Sequence, residues 1–147
     1  MTVSDMLQGS PVVTFTIEQS HENALQAVKR ALAKQNLRVP AQLDITAGLK
    51  RDLRVNLGPC AVLFVDDPVL LLEAIVFQRG AAVFMPLAIS LSGDHRRTTA
   101  MLRSAESLIE GGAPPGLVDP LLGLHSRVLK AMDTIGQRER ETVLLTA

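Results

Sequence analysis

The chain has 147 residues, of which 47% are hydrophobic and 20% charged, and its 15 basic and 15 acidic side chains leave a formal net charge of zero. This composition predicts a globular protein, and the length predicts one domain over residues 1–147. Nucleic-acid binders rely on an excess of Lys and Arg to neutralise phosphates. The chain has no such excess, and its only aromatic residues are four Phe, so we expect no nucleic-acid partner.

Cys60, the single cysteine, excludes an internal disulfide and provides no ligand pair for zinc. Residues 1–10 lack the cationic start and apolar run of a signal peptide, and no apolar run is long enough to cross a bilayer. We therefore expect a cytoplasmic protein with no membrane partner, no metal and no cofactor. Residues 1–10 are interpreted as a loose lead-in, and residues 137–147 as a tail whose order the sequence leaves open.

The predicted elements, in chain order, are strand 13–17, helix 20–35, strand 39–45, helix 47–54, strand 60–65, helix 67–80, strands 81–91 and 97–102, helix 105–110 and a longer helix from residue 119. Alternation of apolar and polar residues predicts the first two strands. Asp67 and Pro68 are typical of a capped helix start. The segments 60–65 and 81–91 are apolar on both sides, and such strands require cover on both faces.

This order predicts an α+β fold with a mixed, mainly antiparallel sheet, helices packed on it and a C-terminal amphipathic helix. The strands 81–91 and 97–102 are expected to form a hairpin through a short turn that contains Gly93. The breaker-rich segment 111–116 is interpreted as a loop within the domain. The second face of the sheet then needs cover from the C-terminal helix or from a partner, which favours a homodimer.

Five short stretches follow one another in an order that resembles a known family: NLRV (36–39), LDITAGLK (43–50), DPV (67–69), EAI (73–75) and VFMPLAI (83–89). This is the bacterial and archaeal domain of unknown function family three hundred and two, and the resemblance extends over about residues 13–102. It implies an α+β sandwich. It implies no activity, because the family has no settled general function.

The chain departs from the family pattern at four positions. Members commonly carry one Cys before an Asn-Pro-Pro helix start and another after a strand proline, where this chain has Asp66 and Leu87. The family's Asn positions hold Asp67 and Ala88. The resemblance therefore implies that any thiol or metal chemistry of other members is absent from this chain.

Three features allow either a chemical or a structural interpretation. Cys60 has no His near it in the sequence, which favours a small buried hydrophobe over a nucleophile. His125 lies on the apolar stripe of the last helix, so a core histidine with one hydrogen bond is favoured over a proton shuttle or a ligand. Asp66 and Asp67 are interpreted as a helix cap and a dipole complement rather than a catalytic carboxylate pair.

Asp44, Thr46, Lys50 and Arg51 form the candidate ligand site. Asp44 ends a strand, and the amide groups of the following helix, with the nearby cations, could hold a small anion. Two hypotheses follow. The first is a non-catalytic binding or assembly module that acts as a homodimer. The alternative is a small-molecule enzyme or anion-binding protein that uses this corner, so catalysis is left open.

Overall fold

The computed structural model describes residues 10–139. The predicted lead-in, apart from Ser10, and the end of the predicted tail, 140–147, lie outside the described residues. The strands are β1 (Val12–Ile17), β2 (Arg38–Asp44), β3 (Cys60–Asp66), β4 (Leu87–Gly93), β5 (Thr98–Arg103) and β6 (Gln137–Arg138). The helices are α1 (His21–Lys34), α2 (Ile45–Leu53), α3 (Pro68–Phe77), α4 (Ala105–Glu110) and α5 (Pro115–Asp133).

The described strands form one sheet in the order β2-β3-β4-β5-β1-β6, and each of its pairings is antiparallel. The predicted α+β class with a mainly antiparallel sheet is confirmed. The expected hairpin is formed by β4 and β5, in which Ser90 pairs with Met101 and Gly93 with Thr98. Among residues 10–139, no helix has both the length and the apolar character needed to cross a membrane.

One face of the sheet carries the hydrophobic core. Phe15, Leu63, Ile89 and Ala100 are fully buried there, and each large apolar side chain so buried contributes about 1.5–3 kcal/mol. Helices α1 and α5 pack against each other, and both contribute to this core. The apolar stripe of α5 joins the cluster through Leu117, Leu121, Leu124, Val128 and Met132.

The opposite face of the sheet is partly exposed to solvent. Leu43 and Met101 are 51% and 40% exposed on it, and Val62 and Phe64 are half-buried. The sequence predicted that either the C-terminal helix or a partner covers this face, and the prediction for the C-terminal helix is wrong. Its apolar stripe completes the core beside α1, on the other side of the sheet, while cover by a partner stays a prediction.

The predicted strand 81–91 is wrong over its first half. A 3-10 turn occupies Arg79–Val83, and the chain then passes through a cis Met85–Pro86 bond before β4 begins at Leu87. Ala81 is buried in the turn and Met85 is buried just after it, so their apolar character reflects burial and not strand pairing. Pro86 has no N–H to give to a sheet ladder, which explains why the strand begins after it.

Prolines influence where α5 begins and how β2 pairs. Helix α5 begins at Pro115 rather than at residue 119, because a proline suits the first position of a helix. β2 is the edge strand next to β3, and its pairing shifts register between Arg38 and Ala41, around Pro40. β2 ends at Asp44, where α2 begins immediately.

Candidate functional site

A cleft of about 410 Å³ opens where α1 begins, β2 ends and β3 begins. Apolar side chains form part of its wall, among them Leu25 from α1 and Leu57 from the loop before β3. Its other lining side chains carry polar or ionisable groups: His21, Glu22, Gln42, Asp44, Thr46 and Cys60. The structure therefore brings Asp44 and Thr46, two of the four predicted ligand-site residues, to one cleft.

Both of these residues already make local hydrogen bonds. The Asp44 Oδ1 accepts from the Ala47 amide at 2.9 Å and caps α2. The Thr46 hydroxyl donates to the Gly58 carbonyl and accepts from the Cys60 amide, each at 2.8 Å. Thr46 thus fastens the loop between α2 and β3, and Asp44 places a carboxylate at the helix N-terminus where an anion was expected to sit.

Lys50 and Arg51 do not line the cleft. Both are exposed in the last turn of α2, and the Arg51 Nε lies 3.2 Å from the Asp52 carboxylate. The charged side chains that do line the cleft are Glu22 and Asp44. An acidic lining favours a cation or an amine over an anion. The anion site stays a prediction, and Lys50 and Arg51, the cations expected to serve it, lie outside the cleft.

His21 is a cleft residue that the sequence did not indicate as functional. Its Nδ1 is sealed from solvent and has no hydrogen-bond partner among the described residues. Burial lowers the pKa of His21 below its ordinary value, and the Asp44 carboxylate acts in the opposite direction. The available signal was weak: Ser20 caps α1 and so places His21 at the helix start, but no local pattern connects it with Asp44.

Cys60 also lines the cleft. Its thiol is half-buried, and Sγ accepts a hydrogen bond from the Ser92 hydroxyl at 3.4 Å. His21, distant in sequence, shares the cleft with it. Within residues 10–139, no three His, Cys, Asp or Glu side chains are grouped so that they could hold a metal ion.

Asp66 and Asp67 do not face each other as an acid–base pair, because each has its own arginine. The Arg38 guanidinium binds both carboxylate oxygens of Asp66. Arg127 binds Asp67, which also caps α3 by accepting from the Val69 amide at 2.9 Å. The hydrogen bond from Arg127 lowers the pKa of Asp67 below its ordinary value. The interpretation of Asp67 as a cap is confirmed.

His125 is buried, with 3% of its surface exposed, and its Nε2 lies 2.8 Å from the Arg103 carbonyl oxygen. This arrangement is the core histidine with one hydrogen bond that its position on the apolar stripe predicted.

A family model described as "Domain of unknown function DUF302" matches residues 13–135. The chain belongs to this family. The resemblance found in the sequence is confirmed, and the match reaches further, past the end of α5.

A DUF302 crystal structure shows the same fold. It is titled an uncharacterized conserved protein DUF302 from Bacillus stearothermophilus, and it superimposes with a TM-score of 0.74 over 85% of this chain and 98% of that one. The two sequences are 14% identical, so the likeness shows the fold alone. No curated protein matches the chain.

Proposed function

We propose that this DUF302 protein is a non-catalytic assembly module that forms a homodimer through the outward face of α3. The observation that carries the proposal is the exposure of four apolar side chains on this ten-residue helix. The exposed fractions are 65% for Val69, 63% for Leu72, 77% for Val76 and 68% for Phe77. Val69, Leu72 and Val76 are spaced three and four apart and so lie on one side of the helix. Phe77, in the last turn beside Val76, adds its exposed surface to theirs, and the four side chains are here named the α3 patch.

The size of the α3 patch supports an interface. Its four side chains expose on the order of 400 Å² of mostly apolar surface. Patches of this size on monomeric proteins are often functional, and a standard interface buries about 800 Å² on each partner. The α3 patch would supply half of such an interface and its apolar centre, and neighbouring surface would supply the rim.

A second copy of the chain is the occupant that the charge and the spacing favour. The formal net charge is zero, so two copies do not repel each other as strongly charged chains would. In a two-fold contact the same patch meets itself. An antiparallel pair of α3 helices would set Val69 of one copy against Val76 of the other, with the axis near Leu72. Glu73, exposed beside these residues, would then approach its own counterpart.

Sedimentation velocity from micromolar to hundreds of micromolar protein tests the proposal. We expect a species of twice the 15.8 kDa chain mass. Val76→Glu should weaken the dimer at least about 30-fold, because it buries an unpaired carboxylate against the apolar Val69 of the other copy. Glu73→Gln should tighten it. Leu53→Glu, at a residue 66% exposed on α2, is the matched control and should leave the dimer unchanged.

Three results would overturn the homodimer. These are a wild-type monomer at the highest concentration, a dimer that Val76→Glu does not weaken, or equal weakening by Leu53→Glu. Flotation of the wild-type chain with zwitterionic phospholipid vesicles, abolished by Val76→Glu, would assign the α3 patch to a lipid surface instead.

The alternative function, a small-molecule enzyme or binding protein at Asp44 and Thr46, is favoured by the cleft itself, whose volume of about 410 Å³ lies in the range of ligand sites. Thermal-shift screening against phosphates, carboxylates and alkylamines tests it, because a ligand stabilises the state that it binds. Glu22 and Asp44 favour the amines. Flat melting curves at millimolar concentrations of all three classes would exclude it.

A further inference from the structure

We propose that a cavity beside His125 binds a small neutral molecule with one apolar ring and one hydroxyl group, of the phenol class. The cavity measures about 170 Å³ and is bounded by the 3-10 turn, β4, β5, α4 and α5. The α3 patch contributes none of its lining. The inference therefore goes beyond the homodimer and does not depend on it.

The walls of the cavity are mainly apolar, and one side of them belongs to the core. Leu87, Leu102 and Leu108 line it and are at most 7% exposed, whereas Val83 and Pro86 line it and are exposed. The cavity is thus closed towards the core and open between the 3-10 turn and the sheet. An apolar cavity of about 150 Å³ holds one benzene molecule, so this volume suits a single six-membered ring with a small substituent.

His125 presents a hydrogen-bond acceptor to this cavity. Its Nε2 lies 2.8 Å from the Arg103 carbonyl oxygen, and a carbonyl oxygen only accepts, so Nε2 carries the proton. In the neutral ring, Nδ1 is then the acceptor. No described residue donates a hydrogen bond to Nδ1 of His125. Among residues 10–139, the sealed side-chain atom without a partner is in His21. Nδ1 of His125 is thus not sealed, and His125 lines the cavity.

The combination of walls and acceptor selects the ligand class. A charged group would lose its hydration against the apolar walls. Arg103, which also lines the cavity, already donates through Nε to the Ser107 hydroxyl at 3.0 Å and through Nη2 to the Ser107 carbonyl at 2.7 Å. A ring without a donor would leave Nδ1 unpaired in an apolar site. A hydroxyl group supplies the proton that Nδ1 accepts, while the ring fills the apolar space.

Phenol and toluene are the matched probes, because they have nearly the same size and differ in the hydroxyl group. We expect phenol to give saturable shifts of the Leu102 and Leu108 amide resonances and of the His125 Nδ1 resonance in nitrogen-15 spectra. Toluene should shift the same amides but bind about 2- to 10-fold more weakly, the loss expected for one hydrogen bond. It should leave the Nδ1 resonance in place.

Two variants in which an alanine is replaced by leucine test where phenol binds. Ala88 lines the cavity and is exposed, so Ala88→Leu should block the cavity without disturbing the core and should abolish the phenol shifts. Ala82→Leu, at an exposed alanine in the 3-10 turn that does not line the cavity, should bind phenol as the wild type does. The absence of phenol binding up to its solubility, or phenol binding that persists in Ala88→Leu, would overturn the site. Equal affinities for phenol and toluene would overturn the role of His125.

Discussion

Arg127 joins three helices, and we expect Arg127→Met to destabilise the protein. Its Nη1 donates to Oδ2 of Asp67 at the start of α3, and its Nη2 donates to the Gln35 carbonyl at the end of α1. Met keeps the apolar stem of the side chain and removes both hydrogen bonds. The variant therefore isolates the polar contribution of this contact.

The magnitude follows from the burial of the two side chains, which are 32% exposed for Arg127 and 18% for Asp67. Removing one partner of a fully buried ion pair costs about 3–5 kcal/mol, and a hydrogen bond to a charged group contributes about 1.5–3 kcal/mol. Asp67 retains its bonds to the Val69 and Leu70 amides, which limits the penalty for the carboxylate. We expect the free energy of unfolding to fall by about 2–3 kcal/mol at pH 7.

Urea unfolding measures this loss as a lower midpoint with an unchanged slope. Arg51→Met is the control, because Arg51 and Asp52 are 76% and 64% exposed and such pairs contribute at most about 1 kcal/mol. Arg127 lowers the pKa of Asp67 in the folded protein. The stabilisation from this ion pair is therefore complete at pH values above the pKa of Asp67 in the unfolded chain, and it is lost as the pH falls through the lower pKa of the folded protein. The difference between wild type and Arg127→Met should therefore narrow below about pH 4. A loss at pH 7 no larger than that of Arg51→Met would refute the reasoning.

Two further predictions concern stability and are checked by the same unfolding measurements. A Cβ at Gly93 would lie 2.5 Å from the Arg97 carbonyl oxygen, so Gly93→Ala should lower the free energy of unfolding by at least about 2 kcal/mol. Gly123 has open space around it in α5, so Gly123→Ala should raise the free energy of unfolding by up to about 1 kcal/mol. Equal effects of the two substitutions would contradict the geometry. Arg38→Met leaves the carboxylate of Asp66, 2% exposed, without its cation and should lower the urea midpoint. Because Arg38 is itself 51% exposed, the effect should be smaller than that of Arg127→Met, and a midpoint no lower than that of Arg51→Met would show that Asp66 does not depend on Arg38.

The fold was largely predictable because its strongest signals are local. The cap and proline at Asp67 and Pro68 mark the start of α3, and the strand alternation marks β1 and β2. The segment 81–91 was misassigned because a buried 3-10 turn and a buried strand present the same run of apolar residues. Distinguishing them requires knowing that the hydrogen bonds of this turn close locally, as in the bond from the Phe84 amide to the Ala81 carbonyl.

The sites were less predictable because they depend on contacts between distant segments. Asp44 and Thr46 are neighbours in sequence and could be grouped from it. His21 joins them only through the placement of α1 beside the end of β2, which no local pattern encodes. His125 was found on an apolar stripe, but its cavity depends on how Leu102 and Leu108 pack around it.

Neither described edge of the sheet offers a long, regular row of free N–H and C=O groups. β2 is irregular around Pro40, which has no N–H, and β6 at the other edge has only two residues. Strand addition between molecules needs such a row, so growth of the sheet into a fibre is disfavoured. An association through the α3 patch would use the same surface on both copies and leave none free for a third. The molecule can thus expose an apolar helix and still form an assembly that closes at two.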